Sequence, residues 1–140
     1  MDASAKGRVM KANDVLNSWA FGPIDANAMR VLAEVLNDPN PIHLDASAVR
    51  AAGLGERVIN QGPANLAYVL NMLEGNGLEI RALEATFTGN VRAGDVVEAS
   101  GAVTSVEGDH AQCKFSLTLD DGVKAIIGAA VCAPTPDGAP

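Results

Sequence analysis

From residue 83 onward, apolar and polar side chains take turns. Leu83, Ala85 and Phe87 alternate with Glu84, Thr86 and Thr88. Val97, Ala99, Gly101 and Val103 alternate with Glu98, Ser100, Ala102 and Thr104. Ala111, Cys113, Phe115, Leu117 and Leu119 alternate with Gln112, Lys114, Ser116 and Thr118. A period of two with one wet face is the signature of an antiparallel sheet that covers a core on one side. "DDG" at 120–122 reads as a hairpin loop with Gly122 in the left-handed position. A three-residue loop pairs Leu119 with Val123 and Phe115 with Ile127. That register buries Val123, Ala125 and Ile127, leaves Lys124 outside and puts Cys113 and Cys132 on opposite faces. No disulfide between them is therefore expected, although a bulge in the last strand would undo the parity argument.

The first half of the chain has helical periods instead. "PIDANAMRVLAEVLND" predicts a helix with Asp25 as N-cap and Met29, Leu32, Ala33 and Leu36 on one stripe. It must stop near Asn37, because Pro39 disfavours helix before it. "DASAVRAAG" predicts a second, short helix between Asp45 as N-cap and Gly53 just past its end. "PANLAYVLNMLEGNG" predicts a third, with Pro63 at its first position and Gly75 or Gly77 at its end. Leu66, Ala67, Tyr68, Val69, Leu70, Met72 and Leu73 leave it almost no polar face, which marks a helix buried on most sides. The economical packing is α+β, an antiparallel sheet curled around this central helix. Such a sheet keeps an edge strand, and pairing of edges between copies would cover it, so an oligomer is expected.

Composition narrows the picture. The chain has 140 residues, one domain of ordinary size, with 48% hydrophobic and 19% charged residues, enough to bury a core. The aromatic share is only 4%, so small aliphatic residues do most of the packing. A net charge of −7 argues against general nucleic-acid binding. No apolar run approaches a membrane span and residues 1–15 lack the apolar core of a signal peptide, so a cytoplasmic location is the expectation. Residues 1–12 and 134–140 are expected to be loose. Two cysteines form neither a disulfide framework nor a zinc motif.

The chemistry concentrates in "DPNPIHLD", residues 38–45. Pro39 and Pro41 stiffen the stretch and Asn40 can bond the backbone locally. Asp38 and His43, displayed on a rigid loop, are parts for general acid–base work. Asp-Pro-Asn-Pro is also turn-prone by composition alone, and Asp45 serves as a cap, so punctuation competes with catalysis. Asp38, His43 and Asp45 could in principle ligate a metal, but nothing else in the chain supplies an obvious partner. A second candidate is Gly62, directly before the apolar helix. Its amide sits at the positive helix end, a natural site for a carbonyl or oxyanion, unless the glycine merely permits a turn before Pro63.

"DPNPIHLDASAVRAAG", then "VINQG" and the apolar helix, then "FTGNVRAGDVVEASGAV", resemble the MaoC-like, (R)-specific enoyl-CoA hydratase and dehydratase family over residues 24–133. The resemblance implies a hot-dog fold and hydration of a trans-2-enoyl thioester to an (R)-3-hydroxyacyl thioester. It implies Asp38 and His43 as the catalytic pair, Asn40 as loop support and the Gly62 amide as partner of the thioester carbonyl. It implies no metal and no redox cofactor, the coenzyme A or acyl-carrier thioester being part of the substrate. It further implies a homodimer, or a higher homo-oligomer, with acyl tunnels near the joined sheets. Two positions depart from the family. Leu36-Asn37 stands where Ser-Gly is usual, and Gln61 where histidine often precedes the glycine; both bear on the substrate rather than on the reaction. Two other readings share the fold: a thioesterase, for which the helix offers only Glu74 near its end, and a non-catalytic acyl-thioester-binding subunit of a hetero-oligomer.

Overall fold

The computed structural model describes residues 9–136. Of the two ends expected to be loose, residues 1–8 and 137–140 lie outside the described residues, whereas Met10 is buried and the Thr135 N–H donates to the Gly77 carbonyl. The described elements are β1 (Trp19–Phe21), α1 (Ala26–Leu36), a 3-10 turn (Pro41–His43), α2 (Ala46–Ala51), α3 (Gly62–Gly75), β2 (Leu78–Phe87), β3 (Val97–Glu107), β4 (His110–Leu119) and β5 (Lys124–Pro134). The five strands form one sheet in the order β1-β3-β4-β5-β2, with every neighbouring pair antiparallel. Its edges are β1 and β2.

The alternation read from the sequence places Val97, Ala99, Val103, Ala111, Cys113, Phe115 and Leu117 in the core. They meet Val69, Met72 and Leu73 of α3, each no more than 1% exposed. Burying side chains of this size stabilises by about 1.5–3 kcal/mol each, which pins the helix to the sheet. This is the α+β, hot-dog arrangement. Helix α3 is less engulfed than its composition suggests. Pro63, Ala67, Asn71 and Glu74 form one exposed stripe, because the sheet covers the helix from one side. The strand β1 follows from no alternation, being only three residues long.

The register of the last hairpin departs from the sequence reading. Gly122 is left-handed (φ 87°) and the Leu119 N–H donates to the Val123 carbonyl, as the loop requires. Beyond it the partners slip: Thr118 faces Lys124, but Leu117 faces Ile126, so Ala125 is an extra residue. Ala125 and Ile126 are both fully buried, whereas Val123 and Ile127 are exposed. Phe115 consequently faces Gly128 rather than Ile127. The slip has a physical reason, since the Phe115 ring occupies the space that a Cβ on residue 128 would need. The same bulge brings Cys113 and Cys132 onto one face, opposite Ala130 and Ala111 respectively, correcting the expected opposite faces. Both remain free thiols, buried in the core.

Candidate active site

Helix α1 ends in a way that delivers Asp38. Asn37 is left-handed (φ 50°), its N–H donates to the Glu34 carbonyl, and the Asp38 N–H donates to the Ala33 carbonyl (2.9 Å). These are the two bonds of a Schellman stop, with asparagine in the position glycine usually fills. Asn37 itself is exposed, so its structural role is to turn the chain into Asp38.

The next residues fix the carboxylate. Asp38 Oδ1 accepts from the Asn40 N–H (3.2 Å), and Asn40 Oδ1 accepts from the Ile42 N–H (3.3 Å), starting the 3-10 turn that carries His43. His43 is 8% exposed. Its Nδ1 lies 2.6 Å from the Ile59 carbonyl oxygen. A carbonyl can only accept, so Nδ1 carries a hydrogen and the other nitrogen of the neutral ring is an acceptor. That nitrogen, Nε2, lies 3.4 Å from Asp38 Oδ2. The Asp38 side chain is 35% exposed, so the pair is open to a small molecule from one side. Asp45 stays apart from it. Its carboxylate caps α2 through the Ser47 N–H and hydroxyl, and the Ser47 hydroxyl bond holds its carboxyl below the usual range. Among the described residues, no cluster of three or more His, Cys, Asp or Glu could hold a metal ion.

Ile59 also donates its N–H to the Ile42 carbonyl (2.9 Å). The two bonds strap the His43 turn to the segment that runs into α3, three residues before Gly62. Val58, Ile59 and Asn60 are held in turn by the "VRAGD" loop, through Ala93 N–H to Val58 and Asn60 N–H to Val91. Gly62 opens α3, and its own N–H has no acceptor among the described residues. Gln61 does not line an open cavity. It is fully buried, its Nε2 donates to the Met29 carbonyl (2.9 Å), and its Oε1 is left without a partner. It joins the start of α3 to α1.

Three further groups here escaped sequence reasoning. The Ile59 carbonyl has no sequence signature, because any residue could supply it. Asn60 Nδ2 donates to Asn65 Oδ1 (2.9 Å) and to the Tyr68 hydroxyl (3.0 Å), a polar network on the side of α3 facing β1. Burial pushes the Tyr68 hydroxyl above its usual range, with the Asn60 bond opposing it. Phe87 lies closest to Gly62: the three nearest heavy atoms to a Cβ placed there all belong to its ring, the first at 3.5 Å.

A hollow of about 360 Å³ opens over Asp38, lined by Arg30, Ala33, Glu34, Asn37, Pro39 and Leu44. A larger one of about 660 Å³ lies on the far face of the sheet and contains none of Asp38, His43 and Gly62. Size therefore does not mark the site; the placement of titratable groups does. Of the cations available to a charged carrier, Arg50, Arg57 and Arg81 are paired with Glu56, Asp95 and Glu79.

The MaoC like domain family matches residues 17–121, a span that contains every residue of this site. The chain belongs to the MaoC-like hydratase and dehydratase family. Solved structures give the same fold. R-hydratase PhaJ1 from Pseudomonas aeruginosa, in its unliganded form, is 20% identical, with 91% of this chain and 84% of that one covered and a TM-score of 0.77. The (R)-hydratase from A. caviae involved in PHA biosynthesis is 23% identical, with 93% and 100% covered and a TM-score of 0.76. The ChsH1-ChsH2 complex from Mycobacterium tuberculosis is 18% identical, with 90% and 99% covered and a TM-score of 0.74. No curated protein matches the chain in sequence. No helix among the described residues is long and apolar enough to cross a membrane.

Proposed function

We propose that this MaoC-like protein adds water reversibly across the double bond of a trans-2-enoyl thioester, giving an (R)-3-hydroxyacyl thioester. One observation carries the reading. With Nδ1–H committed to Ile59, the Nε2 of a neutral His43 is an acceptor and faces the acceptor oxygen of Asp38, 3.4 Å away. Two facing acceptors repel when dry. A water molecule relieves this by donating one hydrogen to each, which leaves its oxygen lone pairs directed outward at an electrophile.

The steps follow from that geometry. The water oxygen bonds to the β-carbon while the pair takes up one of its protons. The protonated member of the pair then returns a proton to the α-carbon. Charge building on the thioester oxygen is met by the Gly62 N–H, unpaired at the positive end of α3. Adding water is not a redox reaction and calls for no redox cofactor, and coenzyme A or an acyl carrier protein enters only as part of the substrate. The glycine itself supports this role. Gly62 does not need a positive φ, and a Cβ there would make only an ordinary contact with Phe87. A helical residue before Pro63 favours glycine for the backbone's sake, and close approach of a carbonyl to the amide asks for it as well.

The proposed working unit is a homodimer or higher homo-oligomer joined through exposed sheet edges, since β1 and β2 are the edge strands among the described residues. A thioesterase reading finds less support, because the only carboxylate on α3 is Glu74, exposed near its end. The intact Asp38–His43 pair also weighs against a non-catalytic subunit. The test is hydration of a crotonyl thioester, followed as loss of the conjugated chromophore. Asp38→Asn and His43→Ala are each expected to abolish turnover with the circular dichroism spectrum retained. Wild-type turnover in both variants would overturn the assignment, and an (S) product on chiral analysis would overturn the stereochemistry.

A further inference from the structure

Beyond its own chain neighbours, Gly62 lies against Phe87. Phe87 is the last residue of β2 and stands directly opposite Ile126. Residues opposite each other in an antiparallel pair project to the same face. Phe87 therefore points to the inner side of the sheet, as do Leu83 and Ala85, whose partners are Ala130 and Gly128. Ile126 and Ala130 are buried on that face. Phe87 is nevertheless 52% exposed. A large apolar ring aimed inward and left half open offers apolar surface that a bound group can cover.

Its position says what. The ring edge lies 3.5 Å from where a Cβ on Gly62 would sit, with a second ring atom at 3.7 Å. A carbonyl brought to the Gly62 amide must therefore arrive beside this ring. The atoms attached to that carbonyl are the acyl chain on one side and the thioester sulfur on the other. The carrier arm beyond the sulfur is polar and hydrated, so the acyl chain is the better partner for a bare aromatic edge. Helix α3 extends the same surface, because Leu66 follows Gly62 by four residues and packs partly buried against the core.

We infer that Phe87 is the wall that limits the size of the acyl group, a specificity-determining residue of the site that touches substrate next to the carbonyl. This rests on the enoyl-thioester reading above. Shortening the ring opens the space beside the α- and β-carbons, and enlarging it closes that space.

The experiment compares Phe87→Ala, Phe87→Trp and the wild type on a panel of 2-enoyl-CoA esters, from crotonyl to longer and branched chains. The readout is the ratio of kcat/KM for the large esters to that for crotonyl-CoA. One methylene in an apolar pocket is worth roughly 10–200-fold in such ratios. Phe87→Ala is expected to raise the ratio at least about tenfold, and Phe87→Trp to lower it. An unchanged ratio in both variants overturns the inference. A changed oligomeric state by light scattering with an unchanged ratio overturns it too, and assigns the ring to a subunit contact. Calorimetric binding of saturated acyl-CoA esters of the same sizes keeps the two readings separable. If the wild type binds these esters without hydrating any enoyl ester, the reaction is wrong, while the shift of size preference in Phe87→Ala still decides the wall.

Discussion

Replacing Gly62 with alanine should separate stability from activity, and the structure says by how much. The residue begins α3 without a positive φ, but it is helical and precedes Pro63, whose Cδ crowds a Cβ on the residue before it. The added methyl would lie 3.5 Å from the Phe87 ring, an ordinary contact to a half-exposed side chain. Exchanging glycine for alanine at a compatible position stabilises by about 0.4–1 kcal/mol, through the unfolded chain. Crowding against Pro63 opposes that gain, so Gly62→Ala should stay folded and melt close to the wild-type temperature. Its effect on catalysis should be far larger. The methyl takes up space beside the Gly62 N–H, next to the Phe87 ring, where the proposed thioester oxygen would enter. Losing one donor to a developing oxyanion costs about 3 kcal/mol, or roughly 10²–10³ in kcat. The assay is turnover of crotonyl-CoA beside a thermal melt of the same preparation. A variant with wild-type kcat and unchanged stability would refute the role of the amide. A variant that is inactive because it is unfolded would refute the claim that the fold tolerates a side chain there.

Asn37 offers a second test, because its left-handed backbone suits glycine and opposes branched residues. Asn37→Gly should keep both stability and activity, while Asn37→Val should lose about 1–2 kcal/mol in a denaturant titration and lower turnover; equal midpoints for the two would refute the Schellman assignment. The cysteines supply a third. Cys132 sits fully buried beside Cys113, whose hydrogen bond, with burial, pushes the Cys132 thiol up, while the bond from Cys132 draws the Cys113 thiol down. Both thiols should resist a bulky thiol reagent in the native protein and both should titrate in denaturant without reductant. Fewer than two titratable thiols in denaturant would reveal a disulfide.

The core of the sheet was legible because side-chain alternation is a local property. Each strand from β2 to β4 announces its own inner face, and Asp25, Asp45 and Gly53 announce the ends of helices. What escaped depends on two distant segments at once. The bulge at Ala125 cannot be seen in β5 alone, since its cause is the Phe115 ring on β4 seeking Gly128. The open stripe of α3 escaped because hydropathy reports what a helix could bury, not which side the sheet reaches. At the site, the motif residues Asp38, Asn40 and His43 declared themselves by type and spacing, and Gly62 by its place before a helix. The tautomer of His43 did not, being set by a backbone carbonyl sixteen residues away. Phe87 read as one more inward strand residue, and only its closeness to Gly62, together with its exposure, distinguishes it.

Two hydrogen bonds at the end of α1 both stop the helix and aim the Asp38 carboxylate. The proposed acid–base group therefore shares the local stability of a helix terminus, the part of a helix that opens first. Thermal inactivation need not follow the melting of the sheet. The last turn of α1 can let go while the core around α3 stays folded, and turnover would then fall at a temperature where circular dichroism still reports an intact protein. Under the proposed reaction, the rate of hydration would serve as a thermometer for one helix end, read independently of the domain to which it is attached.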